Sequence, residues 1–181
     1  MLFYDSRMMM SIHRCSLPPD AFLKRYAGNV GYADCFRVDV PGTIGLGRYV
    51  EAFYTTRLFK AERAILSLAG HPSSDAEAAL VAQGEASRFA AWHVEARADD
   101  QLLMCDVTGR TRSWFKVASN QDGDTTLYFG SAVTPVKTGK AGRKSMGLVF
   151  NVLMPVHILY SRALLAAAKR KIARSSQYVM A

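Results

Sequence analysis

Residues Met146 to Lys171 read MGLVFNVLMPVHILYSRALLAAAKRK, the longest apolar run in the chain. Its hydrophobic residues recur at helical rather than strand spacing. With Leu148 at the origin and about 100° per residue, Val152, Val156, Leu159, Ala163, Leu153, Tyr160, Leu164 and His157 share one arc. Asn151, Pro155, Arg162 and Lys169 fall opposite. A membrane span is the first alternative, because residues 145–161 hold no Asp, Glu, Lys or Arg. The strongly apolar residues from Leu148 to Leu165 supply about −3 to −6 kcal/mol of insertion, which a central Arg162 offsets by about 2.5–3.5 kcal/mol. Asn151, Pro155 and His157 add to that cost, so the pattern favours an amphipathic core helix. Pro155 predicts a kink near Asn151, whose carbonyl loses its helical donor. His157, in the apolar arc, is either a core histidine bonded to a neighbour such as Tyr128 or a ligand contact.

What such a helix packs on follows from the rest of the chain. At 181 residues, half of them apolar and about a fifth charged, the sequence has the size and composition of one folded domain. Cys15, Cys35 and Cys105 form no CxxC, zinc-ligand pattern or disulfide framework, which points to a reducing compartment and the cytoplasm. The N-terminal MLFYDSRMMMSIHRC lacks a continuous hydrophobic region and reads as an arm, residues 1–28, rather than a secretory signal. The +8 net charge is uneven: residues 125–181 hold nine Lys and Arg and no acid. Lys169 to Lys171 suit the negative end of a helix dipole, and Lys137, Lys140, Arg143 and Lys144 read as a solvated loop. No nucleic-acid-binding signature accompanies this charge, so nucleic acid is not an expected partner, while peripheral membrane contact through the basic ends stays open.

Tyr32, Phe36, Val38 and Val40 alternate as a strand closed by Pro41-Gly42. The following GTIGLG has the wrong spacing for a dinucleotide fingerprint, and no cofactor motif is found elsewhere. Helical spacing resumes near Leu46, breaks at Thr55-Thr56 and stops at Gly70-His71-Pro72. Ser74-Asp75-Ala76-Glu77 is a capping box opening a short helix that Gly84 closes. A four-strand meander follows. An Asp99-Asp100 loop pairs Trp92 with Val107, His93 with Asp106 and Val94 with Cys105. A Thr108-Gly109-Arg110 loop pairs Met104 with Trp114 and Asp106 with Arg112, and Asp122-Gly123 pairs Val117 with Tyr128.

Those registers sort the strands into two faces. Trp92, Val94, Leu103, Cys105, Ser113, Phe115, Val117, Tyr128, Gly130 and Ala132 make an apolar face suited to a covering helix. His93, Glu95, Arg97, Asp106, Arg112 and Lys116 make a charged, solvent-facing one, joined by Trp114, Phe129 and Val133. His93, Asp106 and Arg112 line up across three strands, but on an exposed face such pairs are ordinary cross-strand stabilisation and no nucleophile stands beside them. Trp114, Phe129 and Val133 need a cover, for which a homodimer contact is the simplest expectation.

Strand, two to three helices, antiparallel meander and long C-terminal helix resembles the helix-grip fold of the START/polyketide-cyclase-like (SRPBCC-like) superfamily. GYADCFRVDVPG and MPVHILYSRALLAAA also resemble an uncharacterised bacterial family near that superfamily. The resemblance implies an α+β domain, core residues 30–172, in which the sheet grips the last helix over a cavity. The sequence departs from the full pattern by showing four strands after the helices, unless the N-terminal arm or residues 84–91 add another. The implied role is binding a hydrophobic small molecule, with Trp92, Cys105, Phe115, Tyr128 and His157 as lining. Two alternatives stand beside it: a cyclase-like or hydrolytic enzyme using His157 as acid–base with Tyr128 or Asp106, and a dimeric interaction module with a filled core.

Overall fold

The alternation at Tyr32–Val40 forms a nine-residue strand that organises the sheet. The computed structural model describes residues 11–28, 32–134, 136–138, 143–145 and 148–179, with side chains described outside 136–138, 143–145, 148–155 and 176–179. The first ten residues, Asn29 to Gly31, Lys140 and Met146 lie outside these. So do the side chains of Asn151, Val152, Leu153 and Pro155, and with them the kink expected at Asn151.

The protein is α+β. Strands β1 (His13–Arg14), β2 (Tyr32–Val40), β3 (Arg88–Phe89), β4 (Trp92–Arg97), β5 (Gln101–Asp106), β6 (Thr111–Ser119) and β7 (Thr125–Val133) form one antiparallel sheet in the order β1-β2-β7-β6-β5-β4-β3. Both segments named as possible extra strands, the arm and residues 84–91, contribute one, β1 and β3. A short hairpin of β8 (Val136–Thr138) and β9 (Arg143–Ser145) stands apart. Helices α1 (Leu46–Tyr54), α2 (Arg57–Leu68) and α3 (Asp75–Gln83) follow β2, and α4 (Leu148–Val179) closes the chain.

Local chemistry sets the helix ends. Thr56 separates α1 from α2 by accepting from Phe59 N at 3.1 Å, as an N-cap does. Ser74 Oγ accepts from Glu77 N while Glu77 Oε2 accepts from Ser74 N, the reciprocal box the sequence encodes. Gly84 ends α3 at φ +87°, where a side chain would be strained. Arg97 reaches back to the Val81 and Ala82 carbonyls at 2.8 and 2.5 Å, satisfying acceptors at the same helix end.

Every hairpin register differs from its expectation, each for a local reason. Next to Asp99-Asp100, Arg97 pairs with Leu102 as a two-residue loop requires, but a bulge between Val94 and Ala96 shifts the remainder, so Trp92 meets Asp106 and His93 meets Cys105. The β5–β6 loop has one more residue than a three-residue turn, and Leu103 meets Trp114. The β6–β7 loop is also longer, since Ser119 pairs with Thr125, and Val117 meets Leu127. A one-residue slip inverts a strand's faces.

The inner face, under α1, α2 and α4, therefore carries Phe36, Val38, Trp92, Leu102, Met104, Phe115, Leu127 and Phe129. Leu103, Cys105, Trp114, Tyr128, Gly130 and Ala132 belong to the outer face, and Phe129 and Asp106 to the inner one. The outer face is not open to solvent. Residues 15–28, with a 3-10 turn at Phe22–Tyr26, lie across it, and Leu23 and Trp114 are both 0% exposed. Trp114 is thus covered by its own chain and Phe129 by the inner core, which removes the reason for a dimer contact through them. The arm is held by side chains from the sheet. Lys116 pairs with Asp20 at 2.8 Å and with Asp100, Arg112 pairs with Glu95 at 3.1 Å, and Tyr26 donates to Glu95. Gly130 is where this cover comes closest, for a Cβ there would lie 2.8 Å from both Asp34 O and Leu23 Cδ2.

The buried arc of α4 is rotated from the expected one. Ser161, Leu164, Leu165, Ala168 and Ile172 are buried, while Val156 and Leu159 are 63% and 69% exposed. The helix also continues to Val179, because nothing in residues 172–179 stops it. Lys169 to Lys171 therefore do not cap its end. Instead Lys171 Nζ donates to Thr55 O at 3.0 Å and to its hydroxyl, fastening α4 to the α1–α2 junction. Among the described residues no helix is long and apolar enough to cross a membrane.

A candidate binding cavity beneath the C-terminal helix

Helical and strand periods converge on one hollow of about 450 Å³ between the inner sheet face and helices α1, α2 and α4. Phe59, Glu62 and Leu66 reach it from α2 at spacings of three and four, and His157, Tyr160, Ser161 and Leu164 reach it from α4 in the same rhythm. Phe53 and Tyr54 close the α1 side. Trp92 of β4, Ser113 of β6, and Phe129 and Ser131 of β7 form the floor, the last two by strand alternation. Val107 and Thr108 of the β5–β6 loop lie at the rim, where Val107 is 58% exposed, so that edge opens to solvent.

Two polar poles lie on this wall, one at Ser131 and His157 and one at Glu62. At one, Asp34 accepts from Ser131 N at 3.0 Å, Ser131 Oγ at 2.7 Å and Tyr32 OH at 2.9 Å. His157 Nε2 lies 2.6 Å from the same Ser131 oxygen, whose proton is directed to Asp34, so the imidazole is the donor in that bond. Tyr32 packs edge-on to the ring at 6.4 Å, and its phenol is pushed above the usual range by burial and then by the Asp34 charge. The chain His157–Ser131–Asp34 orients the imidazole but does not activate Ser131, because the base in line with its proton is a carboxylate already holding two further donors.

The second pole is Glu62. Tyr160 OH donates to Oε2, and both groups ionise less readily than usual, Glu62 because burial disfavours its charge. Tyr54 is likewise pushed up, by burial and by the Glu62 charge. Two buried donors at this wall, Tyr54 OH and Trp92 Nε1, have no partner among the described residues. Each unpaired donor costs about 1–3 kcal/mol, which a native fold rarely tolerates without cause.

Of the lining residues expected from sequence, Trp92 and His157 are at this wall. Phe115 is on the correct face but beneath it, packed among Tyr49, Phe53 and Tyr54. Cys105 and Tyr128 are on the outer face, Tyr128 beside Trp114 with ring centroids 6.3 Å apart, so neither meets the cavity or His157. The aligned His93, Asp106 and Arg112 are divided as well. Asp106 faces inward and accepts from Arg110 N and Thr111 N at its own turn, whereas Arg112 faces outward to Glu95. Glu62, Tyr160, Tyr54 and Ser131 were not foreseen as site residues. Glu62 had a legible signal, since it sits three residues after Phe59 and four before Leu66, a carboxylate on the buried arc of a helix.

The basic residues gather elsewhere. Arg57, Lys60, Arg170, Lys171 and Arg174 line a trough of about 550 Å³ at the N-terminus of α2, larger than the cavity but a surface feature. Among the described residues, no group of three or more His, Cys, Asp or Glu is placed to hold a metal ion. No family model matches the chain, and no curated protein or solved structure matches it either.

Proposed function

We propose that this protein binds a hydrophobic small molecule in the hollow beneath α4, as a helix-grip-like binding domain. The observation that carries the proposal is a hollow of about 450 Å³ with two unpaired buried donors, Tyr54 OH and Trp92 Nε1, at its wall. The volume falls within the range of small-molecule sites, about 300–1,000 Å³, and an apolar wall with few polar groups is their usual composition. The strand order supports the helix-grip reading: the strand preceding the helices pairs with the last strand of the meander, and α4 packs against both.

The test uses Nile red, an uncharged dye whose emission shifts to the blue in apolar surroundings. Saturable one-to-one binding is expected. It should be lost in Ser113→Phe, which fills the floor, and weakened in Val107→Trp, which obstructs the rim at an exposed position that folding does not need. Undiminished dye binding in both variants, or none in the wild type, overturns the proposal.

A further inference from the structure

The chemistry of the wall narrows the ligand class, on the reading that the cavity binds a small molecule at all. Among the described residues the wall carries two carboxylates, Glu62 and Asp106, two histidines, His71 and His157, and no Lys or Arg. Asp106 is committed to its own turn, with Oδ1 accepting from Arg110 N at 2.8 Å and Thr111 N at 2.9 Å, and Oδ2 from Thr108 Oγ1 at 2.5 Å. Glu62 is not committed in this way. Its described partner is the neutral Tyr160 hydroxyl on one oxygen, and its other oxygen has none among the described residues.

Neighbouring cations on α2 do not supply the missing charge. Lys60 and Arg63 are both bound to Asp75, at 2.5 and 2.6 Å, and Arg57 lines the separate basic trough. Around Glu62 the wall is aromatic, with Tyr54, Phe59, Trp92 and Tyr160. Aromatic faces attract a cation, and a desolvated carboxylate needs one. A carboxylate or phosphate ligand would meet Glu62 with like charge and find no Lys or Arg. A neutral ligand would seal Glu62 away from water without pairing it.

We propose that the cavity takes a lipophilic amine, an apolar body bearing one protonated nitrogen that pairs with Glu62 against the aromatic wall. The suppressed ionisation of Glu62, caused by burial, agrees with a carboxyl that lacks its counter-charge when the cavity holds no cation.

Three probes of one shape and different charge test this by calorimetry on the full chain: 1-aminoadamantane, 1-adamantanol and 1-adamantanecarboxylate. The amine is expected to bind about tenfold more tightly than the alcohol, the difference between a charge-assisted and a neutral hydrogen bond, with the carboxylate weakest. Glu62→Gln should remove that preference. Alcohol or carboxylate binding as tight as the amine overturns the amine assignment while leaving the cavity reading intact. An amine preference that survives Glu62→Gln, with folding verified by circular dichroism, overturns the role of Glu62. If no probe binds and Nile red also fails, the cavity reading falls and the amine assignment falls with it.

Discussion

The chain has two tryptophans, and they sit on opposite faces of the same sheet. Trp114, on the outer face, is fully buried under Leu23 and donates from Nε1 to Gln101 Oε1 at 3.0 Å. Gln101 in turn accepts from Phe22 N and donates to the Asp20 carbonyl, so the ring is one part of a closed network that binds the arm. Trp92, on the inner face, is half-buried against Phe59 at 5.8 Å, and its Nε1 donor is buried without a partner among the described residues. Charges divide in the same way. Outer-face carboxylates are matched with Lys116 or Arg112, whereas Glu62 on the inner side has a phenol alone among the described residues. The outer face is covered by the arm, and its tryptophan donor and carboxylates are matched. The other keeps a hollow and leaves polar groups without partners among the described residues.

The largest test of that contrast is a pair of truncations. Trp114→Ala should destabilise the fold by about 3–5 kcal/mol in urea or guanidinium denaturation, as expected for emptying a packed aromatic site. Trp92→Phe should change stability by less than about 1 kcal/mol, because it removes an unpaired donor along with some contact area, and it should alter Nile red emission. Equal losses at the two positions would break the distinction. Next in size is Gly130→Ala. Its Cβ would press on the Asp34 carbonyl and Leu23 from 2.8 Å, so a loss of about 1–3 kcal/mol is expected, accompanied by faster proteolysis of residues 11–28.

The smallest effects are those of pH, and they have opposite signs on the two faces. A hydrogen bond from Lys116 holds the Asp20 carboxyl below its usual range, so its stabilisation is complete above about pH 4 and is lost as pH falls through the lowered folded value. Asp20→Asn should therefore be less stable than wild type at pH 7, by about 1 kcal/mol or less for so exposed a pair, and the gap should close in acid. Glu62 is raised by burial, so its ionisation opposes folding, increasingly as pH climbs from about 4 and fully above the raised folded value. Glu62→Gln should then be the more stable protein at pH 8 and equal to wild type near pH 4. Thermal denaturation across that range reads both, and gaps of the same sign would show that the two faces treat charge alike.

How much of this was legible varies by element. Tyr32–Val40, the Thr56 and Ser74 caps and the Gly84 stop follow from interactions within a few residues, and each lies where the pattern puts it. Strand registers did not, because the bulge at Glu95 and two longer loops each displace a strand by one residue, and a single slip carried Cys105 and Tyr128 to the wrong face. Trp92 and His157 were recognisable as wall residues, since the bulge leaves Trp92 facing inward and His157 lies on the side of α4 that meets the sheet.

By itself, then, the amino-acid order determined the class of fold, the helix boundaries short of the end of α4, and a histidine on the side of that helix that meets the sheet, all of which rest on local periodicity and capping. Which sheet face is covered by the arm, and which stands over a hollow, was decided by tertiary packing. That choice depends on one-residue registers and on contacts between segments as distant as Leu23 and Trp114, or Glu62 and Tyr160. No local window contains both partners of either pair.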